Sequence, residues 1–314
     1  MTINLLTGRK SDQAGLSVAR SGGMGYCPEA MTIQGSAAGE DTVHEFFSGM
    51  SMAARHRFAV IDVLAGLRLW RLAWSLGWLD IRLRYRGSML GPFWLTISTG
   101  VMVGSLGVLY AALWQIPLHD YLPFLALSQV LWGFLATLVG EACAAFTESE
   151  PVIRSIRMPF FLFAMRILVR NVLVLAHNIC VIVVVFLALR IWPGATALLA
   201  IPAVPLWIVD ALAVALLLGG ICARFRDIMP IVNSVMQIAF FLSPVIWRPA
   251  QLKEYAVWLP FNPFYDMLEI LRSPLLGEAP SPLVWVGALG YSAVLCGMAW
   301  LFFMRSRGRI AFWI

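Results

Sequence analysis

Few residues in this chain could do chemistry, and they are widely spaced. The four histidines (His44, His56, His119 and His177) stand far apart, and the five cysteines (Cys27, Cys143, Cys180, Cys222 and Cys296) are odd in number and scattered. Neither set has metal-ligand or disulfide spacing, so no metal is expected. Lysine occurs only at Lys10 and Lys253, and no G-x-x-x-x-G-K-S/T run is present. A chain without that lysine is not expected to hydrolyse a nucleotide by itself. There is no G-x-S-x-G run and no pair of carboxylates at the head of a loop, so an enzyme is not expected.

The polar residues worth following lie inside apolar stretches: Glu141, Arg166, Arg170, His177 and Asp210. Ionisable groups inside a membrane seldom stay unpaired. Glu141 and Arg166 are equally far from the connection around residues 153–154, so an antiparallel hairpin brings them to similar depth. A Glu141–Arg166 contact is expected, with Arg170 as the alternative partner and snorkelling of both arginines as the competing account. His177 and Asp210 are nearly equidistant from Pro193, which predicts a second pair near the bilayer centre, with Asn178 as the other possible partner. The competing account turns Asp210 toward an aqueous path.

The elements that must position these residues follow from composition. The 314 residues are 60% hydrophobic and 13% charged, with a mean hydropathy of +0.80. That predicts an all-α membrane protein with several spans. The net charge of +6 is almost wholly arginine flanking apolar runs, so membrane lipid rather than nucleic acid is the expected partner. Residues 1–55 read as a disordered or weakly structured cytoplasmic arm, with no apolar leader in the first 30. Over 58–81, Val60, Val63, Leu64, Leu67, Trp70, Trp74 and Trp78 recur at helical spacing, with Asp62, Arg68 and Arg71 on other faces. This predicts an amphipathic helix in the membrane interface. Six spans are expected at 92–114, 121–146, 160–189, 195–222, 230–247 and 283–304. Arg82, Arg84 and Arg86 precede the first, and Arg154, Arg157, Arg224 and Arg226 lie in short connections, so both termini are expected in the cytoplasm.

Two connections are more than turns. Residues 147–159 carry Ser149 as a candidate N-cap, Glu148 and Glu150 at the start, Pro151 in the first turn and Arg154 and Arg157 at the end. Those are the capping and dipole signals of a complete short helix. Residues 248–282 contain an apolar run too short to span, of the kind that dips into the membrane or lies on it. Its charges (Arg248, Lys253, Glu254, Asp266, Glu269, Arg272 and Glu278) read as a mixed outer loop.

Three runs, IRLRYRGSMLGPFW, YLPFLALSQVLWGF and EACAAFTESEPVIRSIRMPFFLFAMRILVRNVLVLAHN, carry a resemblance. They resemble the membrane subunit of type-2 ABC exporters, most of all the O-antigen, capsule and teichoic-acid polysaccharide permeases, over roughly residues 60–314. The resemblance implies that 58–81 is the interface helix and that Leu90 and Gly91, with Arg84 and Arg86 nearby, lie beside the channel's cytoplasmic mouth. It implies that 147–159 is a coupling helix presenting Glu148, Glu150, Arg154 and Arg157 to an ATPase subunit, with Arg224 and Asp227 as a smaller contact. Short re-entrant helices bearing Trp258, Phe261, Asn262, Pro263 and Tyr265 would gate the outer exit.

The implied assembly is two copies of this chain with two ATPase subunits in a bacterial inner membrane. ATP and Mg would be bound by those subunits, and this chain would carry no cofactor. The implied cargo is a lipid-linked polysaccharide. Aromatic faces suit sugar rings, and Trp94, Tyr110, Trp114, Trp132 and Phe134 are candidates for the path, each also explained as a belt or lipid-facing residue. In that setting Asp210 could touch sugar hydroxyls. Rival expectations are a type-2 exporter of a small lipid or drug, and an integral membrane glycan-modifying enzyme or scaffold.

Overall fold

Prolines mark where the apolar runs become helices. Pro117, Pro159 and Pro202 stand immediately before three of the helices, and Pro263 and Pro282 occupy the first turn of two more. Each position tolerates a residue without an N–H. A computed structural model of the chain describes residues 51–91 and 93–314. The described residues are helical, without strands. In order they form α1 (Met52–Arg68), α2 (Trp70–Arg84), α3 (Phe93–Trp114), α4 (Leu118–Ala144), α5 (Glu150–Ser155) and α6 (Phe160–Ala188). Then come α7 (Ala203–Arg224), α8 (Ile228–Leu242), α9 (Pro263–Leu275) and α10 (Pro282–Trp313). Two 3-10 segments, Ala195–Ala200 and Pro249–Phe261, precede α7 and α9. The arm expected over 1–55 lies outside the described residues except at its end, where the Ser51 hydroxyl accepts from Ala54 N at 3.3 Å and caps α1.

Among the described residues, five segments are long and apolar enough to cross a membrane: α3, α4, α6, Ala195–Arg224 and α10. The run expected as the fifth span is shorter. Its helix, α8, has 15 residues, about 22 Å against a hydrocarbon core of about 30 Å. Pro244 explains the early stop, because it forces Ser243 into extended backbone (φ −92°, ψ 146°). In the other direction, α10 runs past residue 304, the expected end of the sixth span, to Trp313, and its added turns carry Arg305, Arg307 and Arg309.

The single helix expected at 58–81 is two helices joined at Leu69 (φ −90°, ψ 20°). Their packed face is made mostly of small residues. Ala59, Asp62 and Gly66 are buried on α1, and Ala73, Gly77 and Ile81 on α2. A Cβ at Gly77 would lie 2.8 Å from Val169 Cγ1 and 3.2 Å from the Arg166 carbonyl, so only glycine allows α2 this close to α6. Leu64, Leu67, Trp70, Trp74 and Trp78 are exposed on the opposite side.

The central helix is α4, which touches α3, α6, α7, α8 and α9 and is 72% buried over its apolar window. One core cluster joins Leu131, Trp132, Phe134, Trp207 and Leu268. Another joins Phe146, Phe161, Phe163, Phe303 and Ile310 at the end of the bundle that carries α1 and α5.

Candidate functional site

The polar residues gather where α2, α4, α6 and the start of the α5 connection meet. Arg166 and Arg170 are four residues apart and share one face of α6. Arg166 forms a fork on Asp80 of α2, with Nε–Oδ2 2.7 Å and Nη2–Oδ1 2.6 Å. Such bidentate pairing is the strong, directional form of the contact. Arg170 Nε donates to Glu141 Oε2 at 2.7 Å, and its Nη1 lies 3.6 Å from Asp80 and 3.5 Å from Glu148. Asn171 Nδ2 and Arg84 Nη2 each reach Glu141 at 2.7 Å. Burial opposes the Arg84 charge, but Glu141 outweighs it and holds that pKa above its ordinary value. Three arginines thus face three carboxylates (Arg84, Arg166 and Arg170; Asp80, Glu141 and Glu148), and the junction is neutral as a whole.

The expected Glu141–Arg166 contact is therefore not formed. Arg166 is taken by Asp80, and Glu141 pairs with Arg170, the alternative partner. Equal depth in a hairpin of α4 and α6 constrains only those two helices. Asp80, which enters from α2, was missed; the signal available was its place three residues after Gly77, on the small-residue face.

A second buried carboxylate lies on α1. Asp62 is 1% exposed; it accepts from Phe161 N at 3.0 Å and from Arg307 Nε at 2.7 Å. It thereby satisfies a free N–H in the first turn of α6 from outside that helix. The sequence reading placed Asp62 away from the Trp face without seeing this role.

The residues of the 147–159 connection remain at the surface. Ser149 precedes α5, but its hydroxyl is buried and donates to Ala145 O at 2.9 Å instead of capping the helix. Glu150 and Arg154 pair at 2.9 Å, and Arg154 also donates to the Ile314 carbonyl. Glu148, Arg154 and Arg157 are exposed, as are Arg224 and Asp227. Arg224 lies 5.2 Å from the centres of both the Phe225 and Trp313 rings. Leu90 and Arg86 are exposed, and Gly91 has φ +56°.

Of the candidate aromatics, Trp94 is exposed, and Tyr110 stacks on Trp114 at 4.8 Å. Trp132 and Phe134 are a correction, since each has under a tenth of its surface exposed. Trp132 packs against Phe240 and Phe264, and Phe134 against Trp207, which leaves no ring face for another molecule.

The His177–Asp210 pair is also a correction. Asp210 accepts from Ser292 and Cys296 of α10. His177 bonds Leu173 O at 2.7 Å on its own helix and meets Phe93 edge-on. Helix α7 turns its polar face to α10, so equal spacing from Pro193 did not bring the two together.

At the opposite end of the bundle Trp258 and Phe261 are exposed, and the Asn262 side chain caps α9 by accepting from Phe264 N at 3.0 Å. Pro263 and Tyr265 follow in its first turn. Arg272, expected in a mixed loop, is 1% exposed. It pairs with Glu269, donates to Ser128 Oγ at 2.8 Å and to Pro244 O at 2.5 Å, and stacks 4.3 Å from the Phe124 centroid. Asp266 is likewise buried. Helix α9 thus puts its charged face inside. No group of three or more His, Cys, Asp or Glu among the described residues could hold a metal.

Apolar helices of spanning length, packed on α1 and α2 through a neutral charge junction, define a multi-pass membrane protein with a polar, exposed connection at one end. The chain belongs to the ABC-2 type transporter family, which matches residues 71–276, and it is a membrane permease component of that type. It is 22% identical over 196 residues to the O-antigen export system permease protein RfbA of Myxococcus xanthus, covering 60% of this chain and 74% of that protein. The protein of the same name from Klebsiella pneumoniae is 19% identical over 191 residues, again covering 60% and 74%.

Proposed function

We propose that this chain is the permease subunit of an ATP-driven exporter that moves a lipid-linked polysaccharide of the O-antigen type across a bacterial inner membrane. The observation that carries the reading is the similarity to two O-antigen export permeases, within a family match that contains the charge junction and α5. Two copies of the chain work with two copies of a separate ATPase subunit, which binds ATP and Mg. Helix α5 with Glu148, Glu150, Arg154 and Arg157 is the coupling element, and Arg224 and Asp227 make a second contact. Helix α8 completes a sixth, short crossing, and both termini face the cytoplasm. The Trp face of α1 and α2 lies in the inner headgroup layer, where amphipathic rings are favoured. Leu90 and Gly91 border the channel mouth, and the segment from Trp258 through α9 dips into the outer leaflet as a gate.

The test is deletion of the gene in its host. Loss of surface polysaccharide with accumulation of lipid-linked glycan inside is expected, with restoration by the wild-type gene. Unchanged surface polysaccharide, or export that continues when the ATPase partner is inactivated, overturns the reading.

A further inference from the structure

Among the described residues, Asp266 has no partner. It is 0% exposed, and neither carboxylate oxygen has a hydrogen-bond partner. Its carboxyl occupies the space beside Gly287 of α10, where an added Cβ would run into Oδ2 and come within 2.9 Å of Cγ. Glycine at 287 therefore makes the room in which this carboxyl sits. A buried, unpaired carboxylate is costly and relieves the cost by taking up a proton.

Among the described residues, no cation pairs with this carboxyl. On α9 itself, Tyr265 precedes it and Glu269 follows one turn on, while the Arg272 guanidinium is taken by Glu269, Ser128 and Pro244 O. On α10 the first ionisable group is Tyr291, whose hydroxyl donates to Phe261 O at 2.8 Å. Helix α7 offers Asp210, held by Ser292. Helix α4 offers Tyr121, whose hydroxyl donates to Ile246 O at 2.7 Å, and the exposed His119 and Asp120; Arg248, just before Pro249–Phe261, donates to Asp120 O and lies over the Phe124 ring. The 3-10 segment Ala195–Ala200 has no ionisable residue, and Lys253, Glu254 and Tyr255 of Pro249–Phe261 are exposed. Burial, with a smaller push from Glu269, raises the Asp266 carboxyl to about 7. Helix α9 is not one of the spanning helices.

We propose that Asp266 is a proton-binding site that fastens α9 to α10: the neutral acid fits the space at Gly287, and loss of the proton leaves a buried anion that drives α9 away. The sign follows from linkage. The acid holds its proton more tightly when α9 is docked in the outer leaflet than when α9 swings out of it into water, so raising the pH favours release. The released fraction climbs roughly tenfold per pH unit between about 4 and 7 and levels off above that. The site depends on no reading of cargo or ATPase partner.

Hydrogen–deuterium exchange on the full-length permease in lipid nanodiscs tests it, with rates corrected for the intrinsic pH dependence of exchange. Amides of α9 are expected to exchange at least ~10-fold faster at pH 7 than at pH 5, with α4 protected equally at both. Asp266→Asn should abolish the difference, and Gly287→Ala should give fast exchange in α9 at both values. Uniform α9 protection across the wild-type series overturns the proposal without reference to any variant. So does an Asp266→Asn protein with the wild-type slope, or a slope shared equally by α4.

Discussion

Arg170 is where the charge junction is most exacting. It is 5% exposed, and its guanidinium is shared among Glu141, Asp80 and Glu148. Removing one member of a buried pair strands the other, at a typical cost of about 3 kcal/mol. Arg170→Gln should therefore destabilise the permease by about that much, and Glu141→Gln should do so too. The double substitution should cost clearly less than the two together, as read by denaturant unfolding in micelles. Simple additivity would show that the contact contributes nothing. Ser292→Ala should cost about 1–3 kcal/mol by leaving the buried Asp210 one donor short, whereas His177→Gln should leave Asp210 undisturbed. The sequence showed which residues needed partners, because a charge in an apolar run is conspicuous. It did not show which partners they take, since Asp80 is 86 residues from Arg166 and Ser292 is 82 from Asp210.

Helices separate by whether their ends or their faces were readable. Prolines and periodic apolar runs marked α3, α4, α6 and α10 in the sequence. The break at Leu69 carries no proline or glycine, and the burial of Arg272 and Asp266 arises from α9 folding back on α4 and α10, which local pattern does not encode. The glycine contacts of α1 and α2 were equally hidden. Gly77→Ala should push α2 off α6 and cost about 1–3 kcal/mol through overpacking, seen as easier proteolysis of α1 and α2 in the intact permease. Helix α5 permits a cleaner separation of roles. Arg157→Glu should weaken binding of the ATPase subunit while leaving the permease's melting temperature unchanged. Arg154→Glu should do both, because Arg154 also holds Glu150 and the Ile314 carbonyl. Equal binding by the Arg157→Glu protein would remove Arg157, two residues beyond α5, from the proposed coupling interface.

At the scale of the molecule, composition alone pointed to a bundle of spanning helices, and arginine placement pointed to which connections share an end. What it left open is how the ends are tied together. Helix α10 has 32 residues, about 48 Å of continuous rod. It carries Gly287 beside α9 at one end and Arg307 on Asp62 at the other. Purified with its ATPase partner, the complex should contain two copies of each chain by native mass spectrometry; a single permease copy would contradict the proposed assembly.

The Asp62–Arg307 contact also sets an order of events during synthesis. The two residues are 245 positions apart, and ribosomes add about 5–20 residues per second. For a period on the order of tens of seconds, α1 exists without the cation that neutralises its buried acid. Until α10 has left the ribosome, Asp62 has Phe161 N as a partner but no cation, and water at the unpaired oxygen opposes full seating of α1 on α6. Closure of α1 on α6 therefore waits for a residue made long after both helices, and the Asp62–Arg307 contact links their packing to the synthesis of α10.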